Sequence, residues 1–116
     1  MTTAVTRVAD GAVVCERCVV ADGMFTRMRG LLGRRSLAST EGILLRPASS
    51  VHTAFMRFPI DVVFVDRELV VLKVVPELPA WRAAACRGAK ATFELAAGEA
   101  ARRGLAPGTG LTLSAG

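Results

Sequence analysis

Apolar positions along the chain follow two periods, one of strands and one of a helix. Residues 5–9 and 12–20 are valine-rich runs broken by polar residues, with Asp10-Gly11 between them. Asp-Gly between two apolar runs signals a hairpin, because both residues accept the backbone of a tight turn. Asp22-Gly23 ends the second run, and Asp22 is placed to cap a helix. Met24, Phe25, Met28, Leu31 and Leu32 follow at helical spacing. At about 100° per residue they share one arc, so the pattern predicts an amphipathic helix over residues 24–32, stopped by Gly33.

Strand signals dominate the rest. Residues 42–45 form an apolar run closed by Arg46-Pro47. Residues 51–56 and 60–65 read as two strands joined at Arg57-Phe58-Pro59, since proline cannot donate to a ladder. The unbroken apolar run Val62, Val63, Phe64, Val65 implies burial on both faces. Asp66-Arg67-Glu68 turns the chain into a third strand at 69–75, which completes an antiparallel meander. Residues 76–88 are irregular, 91–95 return as a strand, and 98–103 suit a short helix ended by Gly104. Leu111 and Leu113 alternate with threonine in a last strand. The expected fold is a single α+β domain over residues 1–116, mostly antiparallel: a curled sheet or small barrel with two short helices.

Composition narrows this picture modestly. A chain of 116 residues that is 52% hydrophobic can bury a core without staples. No apolar run approaches the ~20 residues of a membrane helix. The first twenty residues lack a signal-peptide core, so a cytoplasmic location without membrane attachment is expected. The net charge of +5 comes from an arginine-rich chain with no tyrosine and one tryptophan. Few stacking platforms are therefore present, and no nucleic-acid partner is expected. Oligomeric state stays open.

Candidate chemistry gathers around His52, the only histidine. Cys15, Cys18, Cys86 and His52 amount in inventory to one zinc set, but a second close pair is missing. On a flat strand, Cys15 and Cys18 would face opposite sides. Structural thiols are the expectation, with no metal and no cofactor. Pairing Met56 with Ile60 across the expected hairpin sets His52 opposite Phe64 and leaves Asp61 on the other face. The alternative register leaves His52 and Asp61 about 13 Å apart, far beyond hydrogen-bond reach. Asp61 is better placed to accept from backbone N–H groups near Arg57-Phe58 or to pair with Arg57. Thr53 and Asp61 share a face in the first register, roughly 7 Å apart, where a small polar ligand could bridge them. Trp81 is expected to cover an edge of the core.

Four ordered blocks carry a resemblance: Met28-Arg29-Gly30-Leu31-Leu32-Gly33-Arg34; Glu41-Gly42-Ile43-Leu44-Leu45; the stretch from His52-Thr53-Ala54-Phe55-Met56 through Pro59-Ile60-Asp61 to Asp66; and Phe93-Glu94-Leu95-Ala96-Ala97-Gly98. Over about residues 15–113 the chain resembles the bacterial and archaeal family known as domain of unknown function 192. The resemblance implies a small β-rich domain without an established activity. Its motif residues fall here on Arg29, Gly30, His52, Thr53, Met56, Pro59, Asp61, Glu94 and Gly98. The chain departs from the pattern at Ala48, Ala54 and Gly108-Thr109-Gly110.

The resulting expectation is a small binding module without catalytic residues. Its polar patch would comprise His52, Thr53, Arg57 and Asp61, with Arg29, Arg82 and Glu94 as additions. It would suit a small anionic or polyhydroxy ligand, or an acidic segment of a partner. The alternatives are an enzyme using His52 as general acid/base, and a structural or partner-dependent protein with no small-molecule site.

Overall fold

The computed structural model describes residues 2–22, 35–54 and 56–114. The chain first forms the expected hairpin, β1 (Thr2–Arg7) and β2 (Val13–Ala21). β3 (Glu41–Leu45) follows, then a short β4 (Ser50–His52), β5 (Ile60–Val65) and β6 (Val71–Leu78). β7 (Ala83–Ala85), β8 (Ala91–Ala96), the single-turn helix α1 (Glu99–Arg102) and β9 (Leu111–Leu113) complete it. Seven strands make one sheet in the order β6-β5-β8-β3-β2-β1-β9, and β4 pairs with β7 in a separate two-stranded ribbon.

All neighbouring strands of the large sheet are antiparallel except β2 and β3, whose parallel register runs from Arg17↔Glu41 to Ala21↔Leu45. Only an isolated bridge, Val70↔Gly110, joins the two edges, so the sheet curls without closing into a barrel. The protein is mostly β. Among the described residues α1 is the one helix, and the helix expected over residues 24–32 lies outside them.

The continuous apolar runs are explained by burial of the sheet on both sides. Val63, Val65, Phe93, Leu95 and Leu44 enter one core with Val5 and Val14. Their strand neighbours Val62, Phe64, Ile43 and Leu45 enter a second core with Val51 and Met56. Gly42 is needed where β3 passes β8: a Cβ there would lie 2.8 Å from the Leu95 side chain and 3.1 Å from the Glu94 carbonyl oxygen.

The expected hairpin between residues 51–56 and 60–65 does not form. Met56 N–H bonds to Thr53 O at 3.1 Å, a turn that ends β4 at His52 and releases the chain from β5. β5 pairs instead with β6 and β8. His52 therefore faces Ala83 rather than Phe64. The stretch expected to be irregular, 76–88, supplies the end of β6 and all of β7.

Cys15 and Cys18 also depart from the flat-strand expectation. The β1–β2 register passes from Thr3↔Cys18 to Val5↔Cys15, so three steps on β2 oppose two on β1. This bulge turns both thiols into the same core. There the neighbouring Cys15 thiol together with burial pushes the Cys18 thiol up.

Candidate functional site

Of the residues singled out from the sequence, His52, Thr53 and Arg82 are brought together by the ribbon. Thr53 is fully buried and acts as its staple. Its Oγ1 donates to Pro79 O at 2.5 Å and accepts from Arg82 N–H at 2.8 Å. Thr53 N–H bonds to Arg82 O at 2.8 Å, and Trp81 N–H to Thr53 O at 3.0 Å. These bonds hold Trp81 at φ 63°, a left-handed backbone that bulky residues rarely adopt. The Trp81 side chain is 59% exposed. His52, Arg57 and Arg82 are exposed.

Asp61 belongs to a different construction. It lies on β5, fully buried, and its carboxylate accepts three main-chain N–H groups. Oδ1 takes Glu77 at 2.8 Å and Gly98 at 3.1 Å; Oδ2 takes Ala100 at 2.8 Å. The carboxylate thus ties β6 and the start of α1 to the sheet. Gly98, at φ 89°, supplies the left-handed turn that aims its N–H inward. Acceptance from backbone donors is the kind of role expected for Asp61, but the donors come from β6 and α1 rather than from the Arg57-Phe58 turn. Thr53 and Asp61 do not bridge a common hollow, since each is committed to its own main-chain partners.

Glu94 stands apart from both. On β8 it is flanked in register by Ile43 and Val62, and it is 5% exposed. Burial alone pushes its carboxyl up to about 7. Arg29 lies outside the described residues. The zinc inventory does not converge: Cys15 and Cys18 sit in the first core, whereas Cys86 packs against the second and His52 is exposed on the ribbon. Among the described residues no cluster of three metal-binding side chains occurs, and His52 forms no ion pair with a carboxylate.

What sequence reasoning overlooked is the distribution of charge. Segments 46–60 and 79–93, which form the ribbon and its flanks, contain Arg46, Arg57, Arg82, Arg87 and Lys90 and no acidic residue. They therefore hold five positive charges, leaving ten basic against ten acidic residues elsewhere. The whole net charge resides there. Arg46 pairs with Asp22 at 2.7 Å, while Arg57, Arg82, Arg87 and Lys90 are exposed. Lys73 adds a sixth cation, reaching across from β6 to Ala85 O at 3.0 Å.

Residues 5–113 match the family of uncharacterised proteins described as domain of unknown function 192. The chain belongs to that family. The match extends about ten residues further toward the N-terminus than the motif blocks alone suggested, taking in β1. Two crystal structures share the family member's fold. One is a protein of unknown function from Novosphingobium aromaticivorans DSM 12444, with TM-score 0.82 and 23% identity, covering 97% of this chain and 84% of the other. The other, from Sinorhizobium meliloti 1021, carries the provisional description of a transcription regulator, with TM-score 0.87 and 21% identity over 97% of this chain and 94% of the other. At these identities the likeness concerns fold alone. No curated protein matches the chain. No helix among the described residues is long and apolar enough to cross a membrane.

Proposed function

We propose that this family member is a binding module that docks an acidic, extended segment of a protein partner on its β4–β7 ribbon. The observation that carries the reading is the concentration of the whole net charge in the ribbon and its flanks. A surface formed by segments rich in cations and without Asp or Glu of their own attracts acidic ligands and repels basic ones. The exposed His52, Arg57 and Arg82 contribute directly, Thr53 holds the two strands in place, and Asp61 secures the sheet beneath.

An extended segment is favoured by the ribbon's edge. The bonds from Thr53 N–H to Arg82 O and from Cys86 N–H to Ser49 O fix the alternation of the antiparallel pair. Ser50 and His52 then turn their main-chain N–H and C=O groups away from β7. An added strand can take up such groups while its acidic side chains meet the flanking arginines.

Trp81 gives a direct readout as the only tryptophan, exposed beside Arg82. Titration with a Glu- and Asp-rich decapeptide is expected to change its fluorescence, with affinity falling about tenfold when salt rises from ~0.05 to ~0.5 M. A double charge reversal, Arg57→Glu with Arg82→Glu, should abolish the change. No response to the peptide, or a response unaffected by the reversal, overturns the reading. Preferential binding of duplex DNA or of inorganic phosphate over the peptide overturns it as well.

A further inference from the structure

Among the described residues six polar or charged side chains are buried: Thr3, Thr53, Asp61, Thr92, Glu94 and Glu99. Five have evident partners. The Thr3 hydroxyl bonds to Ser114 O, Thr53 staples the ribbon, and Asp61 accepts its three N–H groups. Thr92 Oγ1 donates to Ala48 O at 3.0 Å, and Glu99 pairs with Arg102 at 2.6 Å and Arg103 at 3.1 Å. Glu94 has no hydrogen bond or ion pair among the described residues.

Its position makes that isolation costly. Register places Glu94 between Ile43 of β3 and Val62 of β5, on the sheet face that also packs against Val51, Met56 and Ala84. Thr92, two residues earlier on the same face, shows that a polar group there can be satisfied by a neighbouring carbonyl. Glu94 is not. An unpaired buried carboxyl disfavours folding, and a leucine between Ile43 and Val62 would suit the face better. An isolated buried group of this kind calls for an explanation, and contact with a ligand is one that accounts for its retention.

We propose that Glu94 is a ligand contact, receiving an N–H donor from an amine or guanidinium carried on an apolar body. A cationic donor stabilises the ionised carboxylate through a charge-assisted bond and so offsets its desolvation. An anion meets repulsion, and a neutral hydroxyl forms only the weaker neutral bond. The apolar part of the ligand matches the isoleucine, valine and methionine side chains of the same core. The site lies on the face that packs against the ribbon through Val51 and Ala84, and it takes the charge opposite to the one that the ribbon's exposed arginines attract.

The test uses the full chain at pH 6 with benzylammonium and phenylguanidinium as probes, and benzyl alcohol and benzoate as neutral and anionic isosteres. Binding is read from the 13Cδ resonance of Glu94 and from thermal shift. The cations are expected to move the carboxyl resonance toward the ionised form and raise Tm, with benzyl alcohol weaker and benzoate silent. Glu94→Gln should lower the benzylammonium affinity at least tenfold. Glu94→Leu, which removes the isolated carboxyl and is expected to fold at least as well, serves as a second variant without the donor's target. The proposal is overturned if no cation moves the wild-type resonance, or if Glu94→Gln and Glu94→Leu bind benzylammonium as tightly as wild type. Failure here leaves the Trp81 response to acidic peptide untouched, so the two readings are separable.

Discussion

Replacing Asp61 by alanine removes one side chain and strands three main-chain donors. Ala100 is 1% exposed, so its N–H finds no water and carries a penalty of about 1–3 kcal/mol. Glu77 is exposed and Gly98 half-buried, so their N–H groups regain hydration and together cost about 1 kcal/mol. Loss of charge assistance brings the sum to about 3–4 kcal/mol, a large part of the ~5–15 kcal/mol that holds a domain of this size together. Tm should fall by roughly 12–16 °C. Asp61→Asn should cost less, because its amide oxygen can still accept from part of the set. Urea unfolding at neutral pH, followed by circular dichroism with an unchanged m-value, measures the difference. Arg57→Ala and Arg82→Ala, at exposed positions, should stay within about 0.5 kcal/mol of wild type. An Asp61→Ala loss below about 1 kcal/mol would refute the account of Asp61 as a three-way tie.

Stability should also depend on pH through Glu94. Its folded carboxyl is raised from 4.5 to about 7, so the native state holds a proton that the unfolded chain releases first. Its contribution is fully present below about pH 4.5 and is lost as pH rises through about 7, on the order of 3 kcal/mol in all. Urea titrations of Glu94→Gln should lack that slope. Thr53→Val leaves Arg82 N–H and Pro79 O without their hydroxyl partner and should cost about 1–3 kcal/mol, with Thr53→Ser close to wild type. Gly42→Ala forces a methyl against Leu95 and the Glu94 main chain and should cost about 1–3 kcal/mol by the same measurement. Thiol titration should find Cys86 reactive in the native protein, and Cys15 and Cys18 only after denaturation, because both lie in the core.

Much of the strand inventory was legible in the pattern of side chains. The run from Val62 to Val65 can be apolar throughout only if both faces of its strand are covered, and all four residues are fully buried. Asp10-Gly11 located the first hairpin for an equally local reason, and Gly98 marked the start of the helix that Asp61 holds. The candidate site was read less well. The sequence offered His52, Thr53, Arg57 and Asp61 as neighbours because they are close along the chain. The fold separates them, since Thr53 finds its partners at Pro79 and Arg82 and Asp61 finds its own at Glu77, Gly98 and Ala100.

The sequence alone determined where most of the strands lie, which of their faces are apolar, and which polar residues were worth following. Only the tertiary structure decided which strand lies beside which, and with that the fate of each polar group. Alternation along a strand states which way a side chain points, whereas its neighbours are set by pairings between distant segments. Glu94 shows the difference most plainly: its isolation comes from Ile43 and Val62 on flanking strands, neither of them near it in the chain.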